Sequence, residues 1–265
     1  MFQKMSGLEQ QLYFRLGEQE QRVFTIQDIV RILNVSLAHA RNIAADMTRK
    51  NVIERVKSGL FVRIPESVLL DKELYKEDAV LIAAKSHTKA FLSHYTALSI
   101  HGLAERYTTQ IYVTTPYHQR DILYHEILIK YISVVPKRFF GIKTINYSNT
   151  TISVSDIERT ILDVINKPKF AGGWNELTQC LKNLESIDWN KLLTYMKKFG
   201  NKALARRLGY IFENISTISL PRQIKKQIMK YSGTNIYYFN STKKGIFDKE
   251  WNMIVPIKIK ETLHA

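Results

Sequence analysis

The chain has 265 residues, with 39 Lys and Arg against 24 Asp and Glu, a formal net charge of +15 and a pI near 9.7. That length suits one or two domains with a sizeable core, and so large a positive surplus favours an anionic partner bound with salt-sensitive affinity. The single cysteine, Cys180, excludes an internal disulfide and a cysteine-based metal site; no apolar run approaches a membrane span or a secretory signal, so a cytoplasmic protein is expected.

Residues 1–65 read as a winged helix-turn-helix domain. Thr25-Ile26-Gln27-Asp28 is a helix start, in which Thr25 caps the free amides and Asp28 suits the first turn. Ile26, Ile29, Val30 and Leu33 then form one apolar stripe. Asn34-Val35-Ser36 breaks the helix, and Ser36 caps a second one with Leu37, Ala40, Ile43, Ala44 and Met47 as its expected buried stripe. Ser36, Ala38, His39, Arg41, Asn42 and Arg49 fall on the opposite side. Residues 52–57 and 60–64 read as two strands around the Ser58-Gly59 turn. In such a unit Arg41 and Asn42 suit base edges, while Arg55, Lys57 and Arg63 on the hairpin suit phosphates. The same elements would also serve a protein-docking unit, since fold alone does not set function.

Residues 66–78, with the charged run Asp71-Lys72-Glu73-Leu74-Tyr75-Lys76-Glu77-Asp78, read as a semi-rigid connector. Beyond it, residues 79–265 carry an α+β pattern, so the expected fold class is α+β with a larger mixed domain after the winged one. Helices are expected over 79–85 and 94–101, the latter stopped by Gly102. Strands are expected over 110–115, 125–135 and 143–154. Ser155-Asp156-Ile157-Glu158 reads as a capping box with Ser155 as cap, opening a helix through Ile165. Residues 174–184, 189–199 and 202–214 read as helices; residues 237–239 and 251–257 read as closing strands. The charge is uneven: residues 195–265 hold 14 basic and 4 acidic groups, so the last third is the most basic part.

Three blocks resemble a known family. Leu92-Ser93-His94-Tyr95-Thr96-Ala97-Leu98-Ser99-Ile100-His101-Gly102-Leu103, then residues 152–163 from Ile152 to Asp163, then Ala203-Leu204-Ala205-Arg206-Arg207-Leu208-Gly209-Tyr210, resemble the AbiEi-type antitoxins of abortive-infection systems. The resemblance spans nearly the whole chain and includes the N-terminal winged unit. It implies a transcriptional autorepressor that binds inverted repeats of operator DNA in its own promoter. It also implies a C-terminal domain that counteracts a nucleotidyltransferase-like toxin, often without stable contact. A plain transcription regulator with a ligand- or partner-sensing C-terminal domain is the alternative.

Read by themselves, Arg159 and Asp163 are four apart on one helix face and able to pair. Capping and packing account for Ser155, Glu158, Ile161 and Leu162 but less well for Arg159, which with Asp163 is the candidate partner-contacting pair. Arg206 and Arg207 point about a third of a turn apart, giving either a basic contact surface or a solvated face. No enzyme is expected. His94 and His101 are two helical turns apart, His118 and His125 straddle a loop, and neither pair has a third metal ligand at suitable spacing. There is no glycine-rich phosphate loop and no nucleophile elbow, and Cys180 reads as core packing. No cofactor is expected.

Overall fold

The computed structural model describes residues 5–71, 75–214, 217–240 and 244–264, and its fold is α+β. It begins with a helix ahead of those outlined above, α1 (Gly7–Glu18). Ser6 and Glu9 cap it reciprocally, and Lys50 reaches the buried Glu9 carboxylate at 2.6 Å. The Ser-x-x-Glu spacing followed by Leu12, Tyr13 and Leu16 is its sequence signal.

After β1 (Val23–Thr25) come α2 (Ile26–Leu33) and α3 (Leu37–Arg49). Thr25 and Asp28 form the capping box of α2, and Asn34 ends it in the left-handed conformation (φ 51°). Ser36 caps α3, accepting the His39 amide at 3.2 Å. The expected stripe of α3 is buried apart from Leu37, which sits in the first, open turn and is exposed. β2 (Ile53–Lys57) and β3 (Leu60–Arg63) form the hairpin, and β1 adds a third, antiparallel strand beside β3.

That small sheet is covered on both faces. Phe61 stacks on Phe24 in the N-terminal core, while Val23, Leu60 and Val62 pack into a second core with α5 (Ala79–Lys85). An uninterrupted Leu60-Phe61-Val62 run is what a strand buried on both sides requires. A short α4 (Glu66–Asp71) lies within the expected connector, whose residues 72–74 fall outside the described ones.

The second core lies on one face of a six-stranded mixed sheet. Its strands are β4 (Phe91–Leu92), β5 (Gln110–Thr115), β6 (Ile122–Tyr124), β7 (Ile127–Ser133), β8 (Ile142–Tyr147) and β9 (Thr150–Ser155), in the order β6-β7-β5-β4-β9-β8. The expected strand over 143–154 thus becomes a hairpin, and that over 125–135 is β7, preceded by the unexpected strand β6. Ser148 and Asn149 both have positive φ, the two-residue turn that folds β8 back on β9. His125 (φ 49°) likewise turns β6 into β7.

The other face carries α6 (His94–Ile100), α7 (Ile157–Asn166), α8 (Gly173–Lys182), α9 (Trp189–Phe199) and α10 (Lys202–Asn214), which build the largest core. The cap of α7 is Asp156, not Ser155: its carboxylate accepts the Arg159 amide at 2.9 Å. Ser155 ends β9, and Glu158 instead accepts the Asp188 amide at 3.1 Å, holding the start of α9.

The C-terminal part also differs from the expected pair of strands. It contains α11 (Arg222–Ser232), then β10 (Tyr237–Tyr238), β11 (Ile246–Asp248) and β12 (Met253–Val255) in the order β10-β12-β11, and α12 (Ile257–His264). Trp251 stands in the turn before β12, buried against Gly209 of α10. A Cβ on Gly209 would overlap the Trp251 ring atoms Cη2 and Cζ3. Gly209→Ala is therefore expected to destabilise the protein by about 1–3 kcal/mol through overpacking. A lowered urea midpoint at unchanged m-value would show it; an unchanged midpoint would mean that the indole moves freely.

Candidate nucleic-acid interface

Capping, helix phase and the hairpin turn together shape the exposed side of the N-terminal unit. Ser36 starts α3 so that Ala40, Ile43, Ala44 and Met47 face inward, which turns His39, Arg41, Asn42 and Arg49 to solvent. The Gly59 carbonyl accepts the Ile26 amide at 2.9 Å, tying the hairpin tip to the start of α2. Gly59 takes φ 75°, a conformation most side chains resist.

Between α3 and the hairpin lies an open groove of about 560 Å³, with Arg41, Ala45 and Thr48 on one wall and Arg55, Ser58 and Gly59 on the other. Neither Arg41 nor Arg55 makes an ion pair among the described residues, whereas Arg49 is paired with Asp46. The groove therefore presents two unneutralised guanidinium groups, suited to bidentate contact with phosphates or base edges.

The other two hairpin cations are turned inward. Lys57 donates to the Ser86 carbonyl at 2.7 Å and lies over the Tyr131 ring, and burial lowers its pKa. The Arg63 guanidinium stacks 4.9 Å from the Tyr13 ring centroid, alongside Gly17 of α1. An expectation of three outward cations thus becomes one, Arg55, because β3 and the end of β2 are covered by neighbouring elements.

The contacts tying this unit to the central sheet had no sequence signal. Arg22 faces the buried Glu77 carboxylate at 3.5 Å. Tyr124 donates to Glu54 at 3.1 Å, and His125 Nε2 lies 3.2 Å from the same carboxyl group. Asn149 donates to Glu20 at 3.0 Å. Each pairing joins residues far apart in the chain, which local patterns do not encode.

Of the four residues expected to contact a protein partner, Arg159, Asp163 and Arg206 are buried and Arg207 is half-buried. Arg159 is fully buried: Nε meets Asp163 at 2.9 Å, and Nη1 donates to the carbonyls of Arg138 at 2.5 Å and Phe140 at 3.1 Å. Its guanidinium also lies over Phe140, Phe199 and Phe91, at 4.7, 5.4 and 5.7 Å. Arg206 is buried and donates to the carbonyls of Trp251, at 2.9 Å, and Gly233. Arg207 donates to the Ile165 carbonyl at 3.0 Å beneath Trp174 and Phe239, and burial lowers its pKa to about 10, so it stays charged at neutral pH. Helical periodicity places a side chain on a face but does not say whether another element covers that face.

The histidines are likewise held singly. His94 opens α6 in the left-handed region (φ 52°), with Nδ1 2.9 Å from the Ser93 hydroxyl and the ring edge-on to Phe170. Burial lowers its pKa to about 4, with Asp163 opposing the shift in part. His101 Nε2 meets the Ser155 carbonyl at 2.7 Å. Burial raises the Cys180 thiol to about 12, which keeps it protonated and a weak nucleophile. Among the described residues no three His, Cys, Asp or Glu side chains gather as a metal site, and no helix is long and apolar enough to cross a membrane.

No protein-family model matches the chain, and no curated protein matches its sequence. Its fold is similar to that of the RV2827C protein from Mycobacterium tuberculosis, solved by crystallography, with a TM-score of 0.67 over 98% of this chain and 94% of that one. The two are 13% identical, so the likeness concerns the fold alone.

Two stability predictions follow from this site. Arg159→Ala leaves the Asp163 carboxylate buried and unpaired, and should cost about 3–5 kcal/mol in denaturant unfolding. A loss below about 1 kcal/mol would show that the pair is dispensable to the fold. His94, depressed to about 4 when folded against 6.5 unfolded, binds its proton more readily in the unfolded chain between those values. Its contribution is therefore complete above about pH 6.5 and is lost as pH falls toward 4. Relative to His94→Asn, the wild type should lose about 2 kcal/mol more on going from pH 7 to pH 5. Parallel stability–pH curves would refute the assignment.

Proposed function

We propose that the chain is a DNA-binding transcriptional autorepressor with antitoxin function, of the AbiEi type. On this reading residues 1–65 form a winged helix-turn-helix domain. Its recognition helix is α3, its wing is the β2–β3 hairpin, and its operator consists of inverted repeats in its own promoter. The observation that carries the reading is the groove where Arg41 and Arg55 converge, unpaired, from helix and hairpin. His39, Arg41 and Asn42 occupy the exposed early part of α3, the part that approaches base edges in this motif. Arg55 then grips a phosphate, and Arg49 near the helix end supplies a further backbone contact. Lys57 and Arg63 hold the hairpin in position.

The antitoxin half of the proposal rests on the three sequence blocks. The structure assigns their arginines to internal bonds, so Arg159, Asp163, Arg206 and Arg207 act by maintaining the domain that counteracts the nucleotidyltransferase-like toxin, not by touching it.

Arg41→Ala should weaken binding to the DNA upstream of the chain's own gene by about 1–3 kcal/mol, and binding to random DNA by less. Arg55→Ala should weaken both and flatten the slope of log K against log salt by about 0.9. Mobility-shift titrations over a salt series measure both quantities. Equal weakening on the two DNAs by Arg41→Ala would make that residue a phosphate contact, and an unchanged salt slope in Arg55→Ala would remove the hairpin from the interface. Co-expression with the adjacent open reading frame tests the antitoxin half: the wild type and Arg41→Ala should both restore growth. Failure of both to do so would leave a regulator alone.

A further inference from the structure

The small C-terminal sheet turns an apolar row outward. Its register sets Tyr238 of β10 beside Ile254 of β12, and Ile254 beside Phe247 of β11. Residues paired across a ladder share a face, so these three side chains stand in line across the sheet. Met253 and Val255, which alternate with Ile254, are buried on the other face in the largest core. Tyr238 and Phe247 are 40% and 45% exposed. Among the described residues β10 and β11 pair only with β12, so each outer edge keeps unpaired backbone groups. A contiguous apolar row beside an open strand edge marks a surface for another chain.

Charge decides between occupants. Lys244 precedes β11 and Lys249 lies in the turn from β11 to β12; both are exposed. Of the acids on this hairpin, Asp248 accepts the Trp251 amide at 2.8 Å, and Glu250 pairs with Lys225. A second copy of the chain would bring the same lysines against each other, which opposes self-association through this face. An acidic segment meets no such penalty.

We propose that the β11 edge and the Tyr238–Ile254–Phe247 row bind an extended, acidic segment of a partner protein. The segment adds a strand to β11, lays alternate apolar side chains on the row and sets carboxylates beside Lys244 and Lys249. Main-chain hydrogen bonds supply affinity, and the side-chain alternation supplies specificity. The surface goes beyond the DNA-binding and antitoxin reading and stands without it, since neither operator nor toxin enters its test.

The test is fluorescence anisotropy on the full chain, with a labelled decapeptide of alternating glutamate and valine beside one of alternating lysine and valine. The acidic peptide should bind and the basic one should not. Affinity should fall about tenfold or more in Phe247→Ser and in the double variant Lys244→Glu, Lys249→Glu. Circular dichroism and melting temperature verify that each variant is folded, and Phe247→Thr replaces the serine variant should that one unfold. No binding to the wild type, equal binding of both peptides, or binding unaffected by the substitutions overturns the proposal. Sedimentation that reveals a dimer dissociated by Phe247→Ser gives the face to a second copy and overturns it as well.

Discussion

The burial of one short strand on both faces sets the arrangement of the molecule. In Leu60-Phe61-Val62 the middle residue closes the N-terminal core against Phe24, while its neighbours join Val23 in the core shared with α5 and the central sheet. Moving the N-terminal unit as a body would expose Val23, Leu60 and Val62 together, at about 1.5–3 kcal/mol for each fully buried side chain. The surrounding polar pairs, Arg22 with Glu77 and Tyr124 with Glu54, are individually weaker but directional, so packing supplies the affinity of the seam and hydrogen bonds its angle. The face of α3 is thereby held at one orientation to the six-stranded sheet. On the proposed reading, anything sensed by the larger domain reaches the DNA-binding helix through this seam.

Internal arginines follow a different logic. Arg159, Arg206 and Arg207 each donate to main-chain carbonyls: those of Arg138 and Phe140 before β8, of Gly233 and Trp251 around the small sheet, and of Ile165 near the end of α7. A carbonyl at an element's end has no partner within that element, and a planar guanidinium with five donors can serve two such groups at once. Aromatic rings cover the faces of Arg159 and Arg207, where no hydrogen bond can form. A buried cation of this kind contributes little net stability against an apolar replacement of the same shape. Its removal is costly because acceptors are then left unsatisfied.

Local chemistry was the legible part of the sequence. Thr25, Asn34, Ser36 and Gly59 each act within a few residues, and the elements they bound were expected in place. The limits of α9 and α10 were legible for the same reason, their apolar periodicity being strong and uninterrupted. The turn that splits 143–154 into β8 and β9, and the one that joins β6 to β7, have no clear signal because Ser148-Asn149 and His125 lack the glycine that usually announces such a turn. The sequence points to Ser155 as the cap because Ser and Asp cap equally well, and only the β9 ladder decides which of the two neighbours is still in a strand. In the candidate interface, Arg41 and Asn42 were legible because helix phase alone exposes them. Lys57 and Arg63 were not, because Ser86 and Tyr13 that receive them lie far off in sequence.

The positive surplus divides by residue type once burial is taken into account. In the last third, Arg206 is buried, Arg207 is half-buried and bonded to a main-chain carbonyl, and Lys225 is neutralised by Glu213 and Glu250, while Lys197, Lys202, Lys226 and Lys230 remain exposed. That surface is therefore mainly one of lysine, a hydrated point charge with little geometric preference. The groove between α3 and the hairpin instead holds arginines, whose planar forks discriminate by geometry. A lysine field attracts polyanions over a distance set by ionic strength and speeds their arrival without choosing among them. On the proposed reading, selection falls to the two guanidinium groups at the groove, where contact is short-ranged. The most basic part of the sequence and the part proposed to read DNA need not coincide, because attraction scales with net charge and recognition with the placement of a few donors.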